Sequence, residues 1–260
     1  MKRPPPATPA ALFVLLLLLR AVPARADDVV VMTSGAFTAA TLELGVVFER
    51  STHHKVITAV TSMGVGDESI PARIARGEAV DVVILPAQNI ESLIRSGGIR
   101  PGSRVDLARS AIGMAVRAGA RKPDIASVEA FKRTLLDASS VAYSASVSGD
   151  YLIRELFPTL GIAEQMKSKS RRIERERVAA VVARGEAEIG FQQISELLPV
   201  AGVDFVGPLP KELQRVTVIA AAVATHSKQP DAARAFVQFL ASPAAASVVV
   251  KTGMELLAVK

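Results

Sequence analysis

The sequence predicts an α/β protein whose sheets are mainly parallel and flanked by helices. Three observations lead there. Short apolar runs alternate with stretches of helical periodicity along the whole chain. The runs, such as Val29-Val30-Val31-Met32, do not alternate apolar with polar residues, which is the mark of strands covered on both faces. A loop of small or hydroxyl residues sits between strand and helix three times: at Thr33-Ser34-Gly35-Ala36, at Thr61-Ser62-Met63-Gly64-Val65-Gly66 and at Tyr143 to Tyr151.

The first 26 residues read as a secretory signal peptide. Lys2 and Arg3 open it, Ala10 to Leu19 is too short to span a membrane, and Ala24-Arg25-Ala26 is an A-x-A cleavage site. A soluble, periplasmic chain from Asp27 onward is expected. With no Cys, disulfides, thiolate metal sites and a lipidated Cys are excluded. The formal charge is +6, but Lys2, Arg3, Arg20 and Arg25 leave with the signal, so the excess falls to about +2. That surplus, with no Trp and few aromatics, disfavours nucleic acid as a partner.

The elements follow in order. Val29 to Met32 is a strand, and Phe37, Ala40, Leu44, Val47 and Phe48 place a helix over 37–50. Lys55 to Val60 is a strand, followed by a helix from about Glu68 that Gly77 stops. Ala79 to Leu85 is a third strand and Asn89 to Ser96 a short helix. Ala111 to Arg117 is a strand. Ser127 caps a helix through Leu136. Ser140 to Ala142 is the strand before the third cradle, whose helix is expected to open at Tyr151. The run Arg171 to Arg177 reads as a solvated face and leads into a helix over 178–183. Ile189 to Gln193, Asp204 to Val206 and Arg215 to Val223 are strands. Pro230 to Ala241 and Pro243 to Val250 are helices.

The cradles are the chemistry. The first turn of a helix carries unpartnered N–H groups and partial positive charge, and Ser and Gly let an anion approach them. The candidate ligand-binding residues are Thr33, Ser34, Gly35, Ala36, Ser62, Met63, Gly64, Ser146, Ser148, Gly149, Arg175, Gln192 and Gln193. Neither a catalytic residue, a cofactor nor a metal is assigned: the three His share no ligand spacing, and Ser146-Val147-Ser148-Gly149 is not a nucleophile elbow.

Three stretches carry a resemblance: Val31 to Ala40, Ile74-Ala75-Arg76-Gly77-Glu78-Ala79-Val80-Asp81-Val82-Val83-Ile84, and Gly185-Glu186-Ala187-Glu188-Ile189-Gly190-Phe191. The chain from Val29 to about Gly253 resembles the type II periplasmic solute-binding proteins, in particular the molybdate-binding branch. The resemblance implies two α/β lobes with the ligand in the cleft between them, at 27–110 plus 215–260 and at 111–214. In that branch serine hydroxyls, backbone N–H groups and one tyrosine hold the oxyanion. Carried over by position, the first serine falls at or beside Ala36, the second in Ser62-Met63-Gly64, the backbone contacts on Ser148 and Arg175, and the tyrosine on Gln193. Ala36 and Gln193 depart in side chain. Gln192 and Gln193 offer acceptors that a deprotonated oxyanion does not need, which brings in a polycarboxylate.

Two functions follow from the resemblance. The first is a monomeric substrate-binding protein that hands a small anion to the membrane permease of an ABC transporter. The alternative is an aconitate isomerase-like enzyme on the same scaffold, moving an allylic proton between trans- and cis-aconitate. Tyr143, Asp150 and Tyr151 are its candidate groups near the cradle. Arg73 and Arg76 could pair carboxylates, but read first as solvated helix residues.

Overall fold

The computed structural model describes residues 28–59 and 66–257. The signal peptide and the candidate residues Ser62, Met63 and Gly64 lie outside them. The first half of the fold is built from β1 (Asp28–Thr33), α1 (Gly35–Thr52), β2 (Lys55–Thr58), α2 (Ile70–Ala75), β3 (Val82–Pro86) and α3 (Ala87–Arg95). The long β4 (Val105–Arg117) leads into α4 (Val128–Asp137), β5 (Val141–Ser144), α5 (Val147–Tyr151), α6 (Phe157–Thr159) and α7 (Ala163–Lys167). Then come β6 (Ser170–Ile173), α8 (Val178–Ala183), β7 (Ile189–Gln193), α9 (Ile194–Leu197) and β8 (Val203–Pro208). The chain returns through β9 (Val216–Val223), α10 (Pro230–Leu240), α11 (Ala246–Lys251) and β10 (Glu255–Leu256).

These elements make a two-lobed α/β fold around one curled sheet of strand order β2-β1-β3-β9-β4-β7-β5-β6, with β8 and β10 also on β4. Within each half the pairings are parallel: β1 with β2 and β3, β5 with β6 and β7. Every antiparallel pairing involves β4 or β9, the strands that carry the chain between the halves. Strand β4 is longer than its apolar part predicts. Its first half, Val105 to Ala111, pairs with β9 and its second, Ile112 to Arg117, with β7 and β8. Asp106, Arg109 and Ser110 interrupt the apolar pattern there and hide the strand from a sequence reading.

The strands are buried on both faces, as their lack of alternation requires. Val29, Val31, Val82 and Ile84 pack with Phe37, Leu44, Phe48 and Phe236 under α1 and α10. Their neighbours Met32, Val83 and Leu85 pack on the other face with Ile90 and Ile99. In the second half Met114, Val141 and Phe191 meet Phe131 and Leu135, while Ala142 meets Val178, Val181 and Val182 on the opposite face. Fully burying one such aliphatic or aromatic side chain is worth about 2 kcal/mol.

Asp81, the acid of the Arg-Gly-Glu-x-x-Asp run, ties the ends of the first half together. Its carboxylate accepts from Val30 N (2.9 Å), Ser227 Oγ (2.7 Å), Lys228 N (2.9 Å) and Gln229 N (3.2 Å). The buried acid thus fixes β1 against the entry to α10.

Two expectations are corrected here. The third cradle is shorter than expected, because the helix opens at Val147 rather than Tyr151 and continues through a π-type turn over Leu152–Leu156. The stretch Val147-Ser148-Gly149 has the composition of a loop, yet Gly149 is needed inside the helix. A Cβ there would lie 1.8 Å from Ser144 O and 2.8 Å from the Tyr143 ring. Arg73 is not solvated: it is buried on α2 and its guanidinium pairs with Glu78, Nε to Oε2 at 2.8 Å. Arg76 is exposed and belongs to the same cluster with Glu68 and Glu78.

Gly149→Ala forces strand and helix apart at backbone level. We expect a loss of at least about 3 kcal/mol in unfolding free energy, measured by urea denaturation. Wild-type stability of this variant rules out the close approach.

Candidate functional site

A cavity of about 430 Å³ lies between the halves. One wall is the first turn of α1 (Ser34, Gly35, Ala36), the start of α2 (Ser69, Ile70, Pro71) and α3 (Gln88, Asn89). The other is the β5–α5 turn (Ala145, Ser146, Val147), Asp150, Arg172 and Glu196. Gln193, Thr217 and Ile219 close the floor.

On the first wall the α1 helix start is open to a ligand. Its first turn holds no acid, and Ser34 does not cap it with its side chain. The Ser34 backbone is fully engaged: its N–H donates to Ile84 O at 2.8 Å, and its carbonyl accepts from Thr33 Oγ1 and Thr38 Oγ1 at 3.0 Å each. Its Oγ, by contrast, is buried and without a partner among the described residues. Asn89 Oδ1, nearby on α3, is in the same state. Buried polar atoms are ordinarily paired, so two unpaired ones on a single cavity mark places where a ligand belongs.

The opposite wall holds a serine cluster. Ser146 Oγ lies 2.7 Å from Ser144 Oγ and 3.2 Å from Ser148 Oγ. Only Ser146 reaches the cavity; Ser148 is buried behind it, 3.2 Å from Ser144, and Gly149 packs on the Ser144 backbone.

The remaining candidates separate in the same way. Thr33 is buried beside the cavity with its hydroxyl turned to the Ser34 carbonyl. Arg175 is exposed in the turn after β6 and lines no wall; its neighbour Arg172 does. Gln193 faces the cavity, but its amide is spent on the floor. In the orientation that satisfies both ends, its nitrogen donates to Ser110 Oγ (2.7 Å) and its oxygen accepts from Thr217 Oγ1 (3.2 Å). Gln192 is fully buried: its oxygen accepts from Val178 N (3.0 Å) and its nitrogen donates to Glu196 Oε1 (2.9 Å). Of the acid–base candidates only Asp150 reaches this cavity. The Tyr151 hydroxyl donates to Leu213 O (2.8 Å) and its ring stacks under Arg215.

Sequence reasoning missed Glu196. It is 2% exposed and lines the cavity wall from α9, the short helix that follows β7. Burial pushes its carboxyl up to about 8; the field of Arg177 and the Gln192 hydrogen bond pull the other way and do not win. At neutral pH Glu196 is therefore mostly a neutral acid. The available signal was a lone charge in the stretch Ile189 to Leu198, four residues after Gln192.

A fold of two α/β halves with a cavity at their junction is that of a solute-binding protein. The chain belongs to the bacterial extracellular solute-binding proteins, whose family model matches residues 29–255. It is 45% identical over 244 residues to an aconitate isomerase of Pseudomonas sp., covering 92% of this chain and 93% of that one. It is 28% identical over 242 residues to the molybdate-binding protein ModA of Azotobacter vinelandii, covering 89% and 91%. Among solved structures, the Azotobacter vinelandii periplasmic molybdate-binding protein aligns with a TM-score of 0.70 at 20% identity, over 88% of this chain and 99% of that one. PEB3 bound to L-phospholactate aligns at 0.66 and 10% identity, over 88% and 99%. At these identities the structural matches speak for the fold alone.

Two measurements check the site. Ser34→Ala removes an unpaired buried hydroxyl, so the ligand-free melting temperature stays level or rises, while ligand affinity falls roughly tenfold, about 1.4 kcal/mol. Glu196 has a folded-state pKa above its ordinary value, so the folded protein holds a proton that the unfolded chain releases. Stability on this account is highest below the ordinary range, near 4.5, and declines as pH rises toward about 8. In Glu196→Gln the melting temperature loses that part of its decline between pH 5 and 8, as scanning calorimetry would record.

Proposed function

We propose that this protein binds a small organic polycarboxylate in the cleft and isomerises it, interconverting trans- and cis-aconitate. The observation that carries the reading is the composition of the cavity. Its unmet polar atoms include an acceptor, Asn89 Oδ1, beside the donor Ser34 Oγ, and its wall adds a carboxyl held neutral by burial. A proton-holding carboxyl set opposite anion-binding donors is what a proton shift on a carboxylate substrate requires, and simple oxyanion binding has no use for it. The volume, about 430 Å³, is in the range of sites for small organic molecules. The near full-length relative that is an aconitate isomerase supports the choice of substrate.

In this reading one carboxylate of the substrate lies on the α1 first turn and Ser34, and Ser146 and Arg172 hold another from the opposite wall. The lobes, taken as 27–110 plus 215–260 and 111–214, close over the ligand and exclude water, which strengthens every polar contact inside. The protein works as a periplasmic monomer after cleavage behind Ala26.

A second reading keeps the order that the resemblance alone suggests: delivery of an anion to the permease of an ABC transporter, without turnover. The open helix start at Ser34 to Ala36 favours it, since such a turn holds any anion. To decide, purified protein is incubated with trans-aconitate and the olefinic proton is followed by NMR, with molybdate tested separately by melting shift. We expect cis-aconitate to accumulate and molybdate to leave the melting temperature unchanged. A molybdate-induced shift without isomer conversion rejects the enzyme.

A further inference from the structure

We propose that Glu196 is the catalytic residue that carries the proton between the two carbons of the substrate's allylic unit, with Gln192 as its positioning residue. This rests on the isomerase reading above. The geometry sets Glu196 apart from the other acid on the cavity. Asp150 is exposed, whereas Glu196 is 2% exposed, so a proton that it holds is kept from bulk water. Its orientation is dictated from behind. The Val178 N–H, donating to Gln192 Oε1, leaves Gln192 Nε2 as the donor to Glu196 Oε1. One carboxyl oxygen is thus anchored and the other is left for the substrate. Because Gln192 and Glu196 are four residues apart across the β7–α9 junction, anchor and acid move as one piece.

The step balances without any co-reactant. The ionised Glu196 removes a proton from the methylene carbon beside a substrate carboxylate. The electron pair of that C–H bond becomes the new double bond, and the old double-bond pair takes a proton from the Glu196 carboxyl at the far carbon. The negative charge that develops on the flanking carboxylate falls where the α1 first turn and Ser34 Oγ can donate to it. A base whose pKa lies near working pH suits this transfer, and burial brings Glu196 there.

The charged groups around Glu196 are accounted for. Helix α9 packs against α1, β4, β7, α8 and β8. On α1, Glu43 pairs with Lys251, Glu49 accepts from Val56 N and Arg50 is exposed. On β4, Asp106 pairs with Arg104, Arg109 pairs with Glu255 and Arg117 is exposed. Asp204 of β8 accepts from Gly119 N. Arg177, just ahead of α8, is the cation whose field reaches Glu196 and favours its ionised form. Arg172 and Asp150 line the same cavity.

The test uses the mature protein with trans-aconitate and two variants, Glu196→Gln and Arg177→Gln. We expect Glu196→Gln to isomerise at least about 100-fold more slowly while trans-aconitate still raises its melting temperature. In the wild type, kcat/KM climbs with pH up to about 8, and in Arg177→Gln that limb moves to higher pH because the ionised form has lost its cation. Should Glu196→Gln fail to fold, the displaced limb of Arg177→Gln decides alone. Wild-type turnover with Glu196→Gln within about threefold of it, or a limb that Arg177→Gln leaves in place, overturns the assignment and leaves the isomerase intact. No turnover by the wild type overturns the isomerase reading itself.

Discussion

The structure depends on one strand changing partners. From Val105 to Ala111, β4 is a strand of the first half, and from Ile112 to Arg117 it belongs to the second. At the changeover the backbone cannot be pinned by a continuous ladder on either side, and a buried polar set takes over. Gln193, from the end of β7, joins Ser110 of β4 to Thr217 of β9. Gln214, just ahead of β9, accepts from Ile112 N and donates to Ile112 O, both at 2.9 Å. Side-chain amides here replace ladder bonds, and each is satisfied at both ends. A buried network of this kind is costly when half-made and specific when complete. It sets where one half ends and the other begins, and hence where the cavity can form.

The side chains that make the junction also explain the character of the cavity. Gln193, the position at which the resemblance leads one to expect a tyrosine, has its amide consumed by the floor. The donors that line the walls are the first turn of α1, Ser34 and Ser146. The residue after β7 that lines the cavity with a buried carboxyl is Glu196. Its acidity is a balance of opposing influences. Removal from water disfavours the ionised carboxyl, and Arg177 with one amide hydrogen bond recovers only part of that cost. Glu176, partly exposed, and Glu186, exposed, both pair with Arg184 and show the opposite outcome, since that guanidinium holds both below the ordinary carboxylate range. The same residue type becomes a charge-bearing surface group in one place and a proton-holding acid in the other.

Arg73 and Arg76 illustrate a limit of reading charge from spacing. Both lie at the end of α2, and on sequence alone either could have reached a carboxylate ligand. Glu78, two residues beyond Arg76, turns back onto both, so their charge is used to close the turn that leads toward β3. The lining cation is Arg172, from a run that composition suggested was only a solvated face. There the strand β6 separates the residues by direction: Ile173 is buried while Arg172, its neighbour, stays exposed at the mouth of the cavity.

Sequence by itself determined most of the strands and helices and the two-faced sheets, because apolar runs without alternation and 3.6-residue periodicity are local properties of the chain; it did not give the first half of β4 or strand β6, where charged residues break the apolar pattern. It also singled out Ser34-Gly35-Ala36, a contiguous stretch that does line the cavity. It placed the third helix start at Tyr151, because hydroxyl residues read as loop until Gly149 is seen against the Ser144 carbonyl. Only tertiary structure decided which acid is buried, which arginines are spent on neighbours and which amides close the floor. Those properties depend on what packs against Glu196, Arg73 and Gln193 from segments distant along the chain, and burial and field, unlike periodicity, leave no local trace.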